Sequence, residues 1–144
     1  AIGCNVTAIW RAHRRGAFAA AQQVWRRGWG GERKRQGFGA SRQLHGHNYA
    51  CEVTVSGEID PVTGMVTDLG RLDAVLAAEV RERFDHKNIN ADVPEFRDGA
   101  LVPTGENLAR YIYERVDRDL PKPAKVMRVN VGEDDSLSAA YSRE

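Results

Sequence analysis

Long hydrophobic runs are missing from this sequence of 144 residues. No apolar stretch approaches the roughly 18 residues that a membrane-spanning helix needs, so we expect no membrane partner. The first ten residues do not place a basic region before an apolar core, and we therefore expect no secretory signal. Two cysteines, Cys4 and Cys51, are too few for a disulfide framework. These absences favour a cytoplasmic protein.

Acidic residues are scarce in one part of the chain. Residues 11–42 hold nine basic residues and one acid, a net charge of +8, although the whole chain carries only +1. Several glycines interrupt regular structure here, so residues 14–42 are interpreted as a basic, glycine-rich arm inserted between the first two strands. Residues 18–25 are rich in alanine and glutamine and favour a short helix within the arm.

The basic arm suggests a polyanionic partner such as phosphate or nucleic acid. A solvated surface arm is the simpler interpretation, and no motif of a nucleic-acid-binding fold is present. We therefore expect no nucleic-acid partner. With 42% hydrophobic and 28% charged residues, the composition predicts one folded domain over residues 1–144.

Histidines number only four, at positions 13, 45, 47 and 86. His45 and His47 flank a glycine at the head of residues 49–56, whose alternating pattern predicts a half-buried strand. Extending the strand back to His45 places both imidazoles on one face, as two-point metal ligation requires. A polar strand end with incidental histidines explains the isolated motif equally well.

The remaining elements follow from periodicity. Residues 2–13 predict a first strand, with His13 on the face opposite its apolar side chains. Thr104 is a predicted N-cap, and Glu133 extends the apolar face of a strand, where a carboxylate needs a partner. Helical spacing and alternation predict helices at 69–84 and from 105 to 120, and strands at 65–67, 125–131 and 138–143.

Several motifs in a fixed order carry a family resemblance: Arg-Ala-His-Arg (11–14), His-Gly-His-Asn-Tyr (45–49), Gly-Glu-Ile-Asp-Pro-Val-Thr-Gly-Met-Val (57–66), Asp-His-Lys-Asn-Ile-Asn (85–90), Asp-Val-Pro-Glu-Phe (92–96) and Pro-Thr-Gly-Glu-Asn-Leu-Ala (103–109). Together they resemble the 6-pyruvoyl-tetrahydropterin synthase family, which includes the 6-carboxytetrahydropterin synthases. The resemblance implies an α+β fold, the tunnelling fold, with a four-stranded antiparallel sheet and two helices on one face. It further implies homo-oligomers, in which trimers form a barrel and two trimers stack as a hexamer.

The resemblance also implies a zinc cofactor held by His13, His45 and His47. Three imidazoles with an open fourth position describe a catalytic zinc, which would act on the substrate side chain as a Lewis acid. Asp85 and His86 match the family's Asp-His pair, in which the carboxylate orients the imidazole for proton exchange with the substrate.

A pterin pocket is implied by three further positions. Glu133 matches the residue that grips the pterin, whose 2-amino and ring N–H donors suit a bidentate carboxylate. Thr104 and Glu106 match positions that line the same pocket, although a plain N-cap role explains Thr104 equally well.

One position departs from the family pattern. The usual catalytic base is a cysteine shortly before the His-Gly-His motif, and Ser41 stands there instead. A serine hydroxyl is a far weaker acid than a thiol and a poor base when unassisted. Ser41 would relay a proton only with help from a group such as His86; otherwise another base acts, or the step is lost.

The resemblance implies a zinc-dependent lyase that converts 7,8-dihydroneopterin triphosphate to 6-pyruvoyl-tetrahydropterin with loss of triphosphate. Three alternatives stay open. The first is 6-carboxy-tetrahydropterin synthesis on the queuosine-type route to deazapurines, the second is side-chain cleavage of dihydroneopterin, and the third is pterin binding with little activity because Ser41 replaces the cysteine.

Overall fold

The computed structural model describes residues 10–28, 30–31, 37 and 39–143. Its strands are β1 (Trp10–Gln22), β2 (His45–Gly57), β3 (Lys87–Asn88), β4 (Lys125–Gly132) and β5 (Ser138–Ser142). Its helices are α1 (Leu69–Leu76), which continues through a π-helical turn (Ala77–Arg81) and a last α-helical turn (Glu82–Phe84), α2 (Ile89–Asp92) and α3 (Gly105–Asp119). Short 3-10 segments span Gly39–Arg42 and Pro94–Gly99.

The described strands form one mixed sheet in the order β3-β1-β2-β4-β5. The four longer strands are antiparallel, whereas β3 pairs parallel to β1 through two residue pairs. The predicted α+β class is therefore confirmed, but the sheet has five strands instead of four. The fifth strand arises because the segment after α1 is tied to β1. Asp85 accepts the backbone N–H of Ala19, and the N–H of His86 donates to the Ala19 carbonyl.

Strand β1 differs most from the prediction. Residues 2–9 of the predicted first strand lie outside the described residues, but the strand continues to Gln22. Residues 14–22 are therefore strand and not part of an irregular arm, and residues 18–22 are not helical. Antiparallel pairing with β2 from Trp10↔Gly57 to Gln22↔His45 overrides the helix propensity of the alanines, because pairing satisfies the backbone along the whole strand.

The core lies between one face of the sheet and the helices. Val53, Val129, Leu72, Ile112 and their neighbours belong to one buried cluster, to which β2, β4, α1 and α3 all contribute. Both amphipathic helices lie where their periodicity predicts them. No helix in the described part of the chain has the length and apolarity to span a membrane.

The predicted Thr104 cap is present, whereas the strand predicted at residues 65–67 is not. Thr104 caps α3, because its side chain accepts the backbone N–H of Asn107. Residues 65–67 were predicted as a strand and do not form one. They follow a turn in which the N–H of Gly64 donates to the carbonyl of Asp60, and Gly64 adopts a φ of 72°, which glycine tolerates.

Two basic residues of the predicted arm lie on the sheet instead. Arg14 pairs with Asp73 through two hydrogen bonds, and Arg15 pairs with Glu52. Exposed pairs of this kind contribute little to stability, but they occupy charges that the sequence left available for a polyanion. Residues 32–36, the most basic part of the arm, lie outside the described residues.

Phe84 is expected to be a major determinant of stability. It is fully buried and its ring lies 5.3 Å from that of Phe18 and 5.7 Å from that of Tyr111. We expect Phe84→Ala to lower the free energy of unfolding by about 3–5 kcal/mol, as measured by urea denaturation. Val62→Ala is the control, because Val62 is 91% exposed. Equal stability of the two variants would contradict this core assignment.

Cys51 is buried in β2, and burial, with a smaller contribution from Glu52, raises the pKa of its thiol to about 12. The thiol is therefore protonated at neutral pH and unreactive. In a Cys4→Ser variant, we expect Cys51 to react with a disulfide reagent at pH 8 only as fast as the chain unfolds. The same variant in denaturant serves as the control, and rapid labelling of the native chain would refute the assigned burial.

Candidate functional site

The pairing of β1 with β2 brings three polar side chains to one end of the sheet. Gln22 lies opposite His45, and Ala20 lies opposite His47. These side chains lie on the core-facing side of the sheet, as do Phe18 and Tyr49, whose rings stack with centroids 4.8 Å apart. Gln22, His45 and His47 therefore line the same cavity, of about 530 Å³.

His13 is not part of this group. It lies opposite Thr54 and contacts that hydroxyl through Nδ1 at 2.9 Å. Nine positions along β1 separate it from Gln22, which corresponds to about 30 Å at 3.3 Å per residue. Side chains alternate between the two faces of a strand, and His13 is an odd number of residues from Gln22. His13 therefore lies on the face of the sheet opposite to Gln22. The prediction that His13 joins His45 and His47 around one cation is therefore contradicted by the strand register.

His13 is expected beside His45 and His47, but Gln22 occupies that position. Its side chain is buried, with only 1% exposed, and its Nε2 lies 3.3 Å from Nε2 of His45. Nδ1 of His45 lies 2.7 Å from the Gln43 carbonyl, which can only accept, so Nδ1 carries the proton and Nε2 of the neutral ring accepts. Gln22 then donates through Nε2, and its Oε1 is left buried without a partner.

Sequence reasoning missed Gln22, because no alternating pattern marks the residues around it. Phe18, Ala20 and Gln22 are placed on one face of β1 by the pairing with β2. The alanine-rich composition favoured a helix over a strand, and glutamine is not a usual zinc ligand.

The donor set does not fit the zinc that the resemblance implies. A catalytic zinc needs three protein ligands drawn from histidine, cysteine and carboxylate side chains. Among the described residues, no group of three such side chains is arranged to hold a metal ion. Gln22 supplies a carboxamide instead, and its amide already engages the lone pair that His45 would offer to a metal.

A carboxylate lines the same cavity, next to His47. Glu133 follows β4 directly, its side chain is 13% exposed, and Oε2 lies 3.9 Å from Nε2 of His47, too far for a hydrogen bond. A Cβ built on Gly105 would lie 3.6 Å from Oε1 of Glu133, so the carboxylate faces the first residue of α3. Burial, followed by the nearby Glu133 charge, raises the pKa of the Tyr49 phenol.

The predicted pocket residues Thr104 and Glu106 line the same cavity, as does Ser41. Ser41 is held by the Gly39–Arg42 segment, and its carbonyl accepts the N–H of Val24. The position that the family pattern assigns to a cysteine therefore faces the cavity, but it offers a hydroxyl and not a thiol.

Asp85 and His86 lie beside a neighbouring, open cavity of about 460 Å³. His86 Nδ1 is 3.1 Å from Asp85 Oδ2, and the ring is largely exposed. The Ala19 N–H, and secondly His86, lower the pKa of the Asp85 carboxyl. His47 lines both cavities, whereas Ser41 lines only the first of these two and His86 only the second. The described chain therefore does not bring Ser41 and His86 together.

This arrangement brings a carboxylate hydrogen-bond acceptor and polar amide and imidazole groups to one cavity. Glu133 suits a ligand with adjacent N–H donors. Gln22, His45 and His47 suit oxygen-bearing substituents of the same ligand, because amide and imidazole groups can both donate and accept.

Comparison with known proteins identifies the family of this chain. A family model described as 6-pyruvoyl tetrahydropterin synthase matches residues 11–144. Human 6-pyruvoyl tetrahydrobiopterin synthase is 38% identical over 133 residues, which cover 91% of this chain and 90% of the human protein. Dihydroneopterin monophosphate aldolase of Pyrococcus furiosus is 37% identical over 91 residues, 63% of this chain and 71% of the aldolase.

Solved structures show the same fold. The structure of 6-pyruvoyl tetrahydropterin synthase from Caenorhabditis elegans matches with a TM-score of 0.87 at 29% identity, covering 95% of this chain and 97% of the other. The match of the family model over nearly the whole chain establishes the relationship: this chain belongs to the 6-pyruvoyl tetrahydropterin synthase family.

Proposed function

We propose that this chain binds the ring of a reduced pterin in the cavity around Glu133. The observation that carries the proposal is the half-enclosed Glu133 carboxylate, which lies against Gly105 with no hydrogen-bonded cation beside it in the described residues. Its two oxygens accept from the 2-amino group and the neighbouring ring N–H of a pterin. The N-terminus of α3 favours the negative charge there.

A ring held by Glu133 directs its C6 side chain along the cavity. The same cavity is lined by His45, His47 and Ser41. The ligand that this length and polarity suit is dihydroneopterin or one of its phosphates, whose C6 side chain carries hydroxyl groups. Thr104 and Glu106 border the ring, and Thr104 serves as the α3 cap at the same time.

The reaction carried over from the family is the loss of triphosphate from 7,8-dihydroneopterin triphosphate to give 6-pyruvoyl-tetrahydropterin. We expect this reaction to be slow here. The zinc of the family would lack its third histidine because Gln22 stands in its place, and Ser41 is a poor substitute for a thiol base. Pterin binding with little eliminating activity is therefore the function that the geometry supports best.

Side-chain cleavage is the second candidate, and the relationship to an archaeal dihydroneopterin monophosphate aldolase favours it. A base removes the proton of the 2′-hydroxyl, the C1′–C2′ bond breaks, and its electron pair passes into the C6=N5 unit of the ring. Protonation at C1′ gives the hydroxymethyl dihydropterin and an aldehyde. His47 is the proposed base, because its Nε2 is buried without a hydrogen-bond partner.

One rival remains for the product assay. Formation of 6-carboxy-tetrahydropterin, on a queuosine-type route, shares the pocket and differs only in the product.

The Asp85–His86 pair is proposed to exchange protons with a ligand that reaches the second cavity, where the carboxylate holds the imidazole at 3.1 Å.

Homo-oligomerisation is also proposed, as trimers that stack into a hexamer. β5 forms one edge of the described sheet, and β1 has an outer neighbour only at Ala20 and Ala21. Exposed strand edges of this length pair readily with another copy of the chain. A cytoplasmic location accompanies this proposal.

Replacing Glu133 tests the ring site. We expect Glu133→Ala to weaken the binding of dihydroneopterin by roughly 10- to 100-fold in calorimetry, because the hydrogen bonds to a charged acceptor are lost. Glu52→Gln is the matched control, since Glu52 pairs with Arg15 on the opposite face of the sheet. Undiminished binding by the Glu133 variant would exclude this cavity as the pterin site.

Ser41→Cys tests whether a thiol at this position restores the elimination reaction. With dihydroneopterin triphosphate as substrate and mass spectrometry of the products, we expect slow elimination by the natural chain and a gain of about tenfold or more with the thiol. Ser142→Cys, on the edge strand, controls for an added cysteine. Rapid elimination by the natural chain would refute the assignment, and hydroxymethyl dihydropterin as the main product would select side-chain cleavage.

A further inference from the structure

We infer that Gln22 turns the histidine end of the cavity into a metal-free subsite that binds a hydroxyl group of the ligand by hydrogen bonds. The part concerning the ligand rests on the proposed pterin function, whereas the part concerning the metal stands on the side chains alone. The inference starts from three atoms: the Nε2 of His45, which Gln22 engages, and the unpartnered Gln22 Oε1 and His47 Nε2.

The first step is a fixed chain of donors and acceptors. The Gln43 carbonyl accepts from Nδ1 of His45 at 2.7 Å, so Nε2 of that ring accepts from the Gln22 amide at 3.3 Å. A zinc ion needs the same Nε2 lone pair. Its binding would break the Gln22–His45 hydrogen bond and leave a carboxamide oxygen as the third ligand, a donor that zinc sites in proteins do not normally use.

The second step concerns the two unpartnered atoms. Gln22 Oε1 and His47 Nε2 are both buried and both belong to side chains that line the cavity. An unsatisfied buried polar atom is destabilising, so a ligand that satisfies both atoms gains affinity. The hydroxyl groups of one ligand can donate to the amide oxygen and to the imidazole nitrogen, because both side chains line the same cavity.

The third step places this subsite relative to the ring site. Glu133 Oε2 lies 3.9 Å from His47 Nε2, so the ring anchor and the hydroxyl subsite adjoin. A pterin that carries a hydroxylated C6 side chain reaches both. A pterin with a plain alkyl group at C6 reaches only Glu133 and leaves Gln22 Oε1 without a partner.

The metal test compares the natural chain with Gln22→His. We expect the natural chain to bind zinc at least about 100-fold more weakly than the variant in a competition titration, because only the variant has three imidazoles. Cobalt should give the absorption of a tetrahedral site only in the variant. Gln23→His is the matched control, since the Gln23 side chain donates to the Arg42 carbonyl and does not line the cavity. Stoichiometric zinc in the natural chain, held as tightly as in Gln22→His, would overturn the metal-free subsite.

The ligand test compares neopterin with 6-methylpterin in the presence of a chelator. We expect the natural chain to prefer neopterin, and Gln22→Met, which keeps the side-chain length without the amide, to lose roughly tenfold of that preference. Glu133→Ala should weaken both ligands. An unchanged preference in Gln22→Met would overturn the hydroxyl subsite. If the natural chain binds neither pterin, the proposed function and the ligand part fail together, while the zinc titration still decides the metal part.

Discussion

The register between β1 and β2 is the constraint on which the site depends. Because side chains alternate between the two faces of a sheet, a shift of one residue would exchange every core-facing side chain of β1 for an outward-facing one. The stacked rings of Phe18 and Tyr49 and the hydrogen bonds from Ala19 to the Asp85–His86 segment secure the observed register. The same register places Gln22 against His45.

Local periodicity made much of this fold predictable. β2, α1 and α3 each repeat an apolar pattern within one element, and the structure places them where the patterns indicate. β1 lacked such a pattern, because its last residues are small and favour a helix in isolation. Its strand conformation depends on a partner that begins 23 residues later, and no local pattern reports that pairing. β3 is likewise held by contacts of the Asp85–His86 segment with β1.

The candidate site was likewise predictable from the sequence only in part. His45, His47, Glu133 and Ser41 were recognised from motifs and lie around one cavity. His13 was selected because of its residue type, but ligation is decided by face and distance, and both exclude it. Gln22 was overlooked for the converse reason: its position is that of a ligand, whereas its carboxamide is not the chemistry that a search for zinc ligands recognises.

The two departures from the family pattern, Gln22 and Ser41, line the same cavity as Glu133 and Thr104, which follow the pattern. A histidine pair that lost its metal would leave two buried imidazole nitrogens unpaired, at a cost in stability. The Gln22 amide satisfies one of them, on His45. The other, on His47, faces both Glu133 and the cavity. A ligand that contacts both Glu133 and His47 therefore stabilises the folded chain when it binds. Binding of the ring at Glu133 is in this way coupled to the part of the site that Gln22 alters.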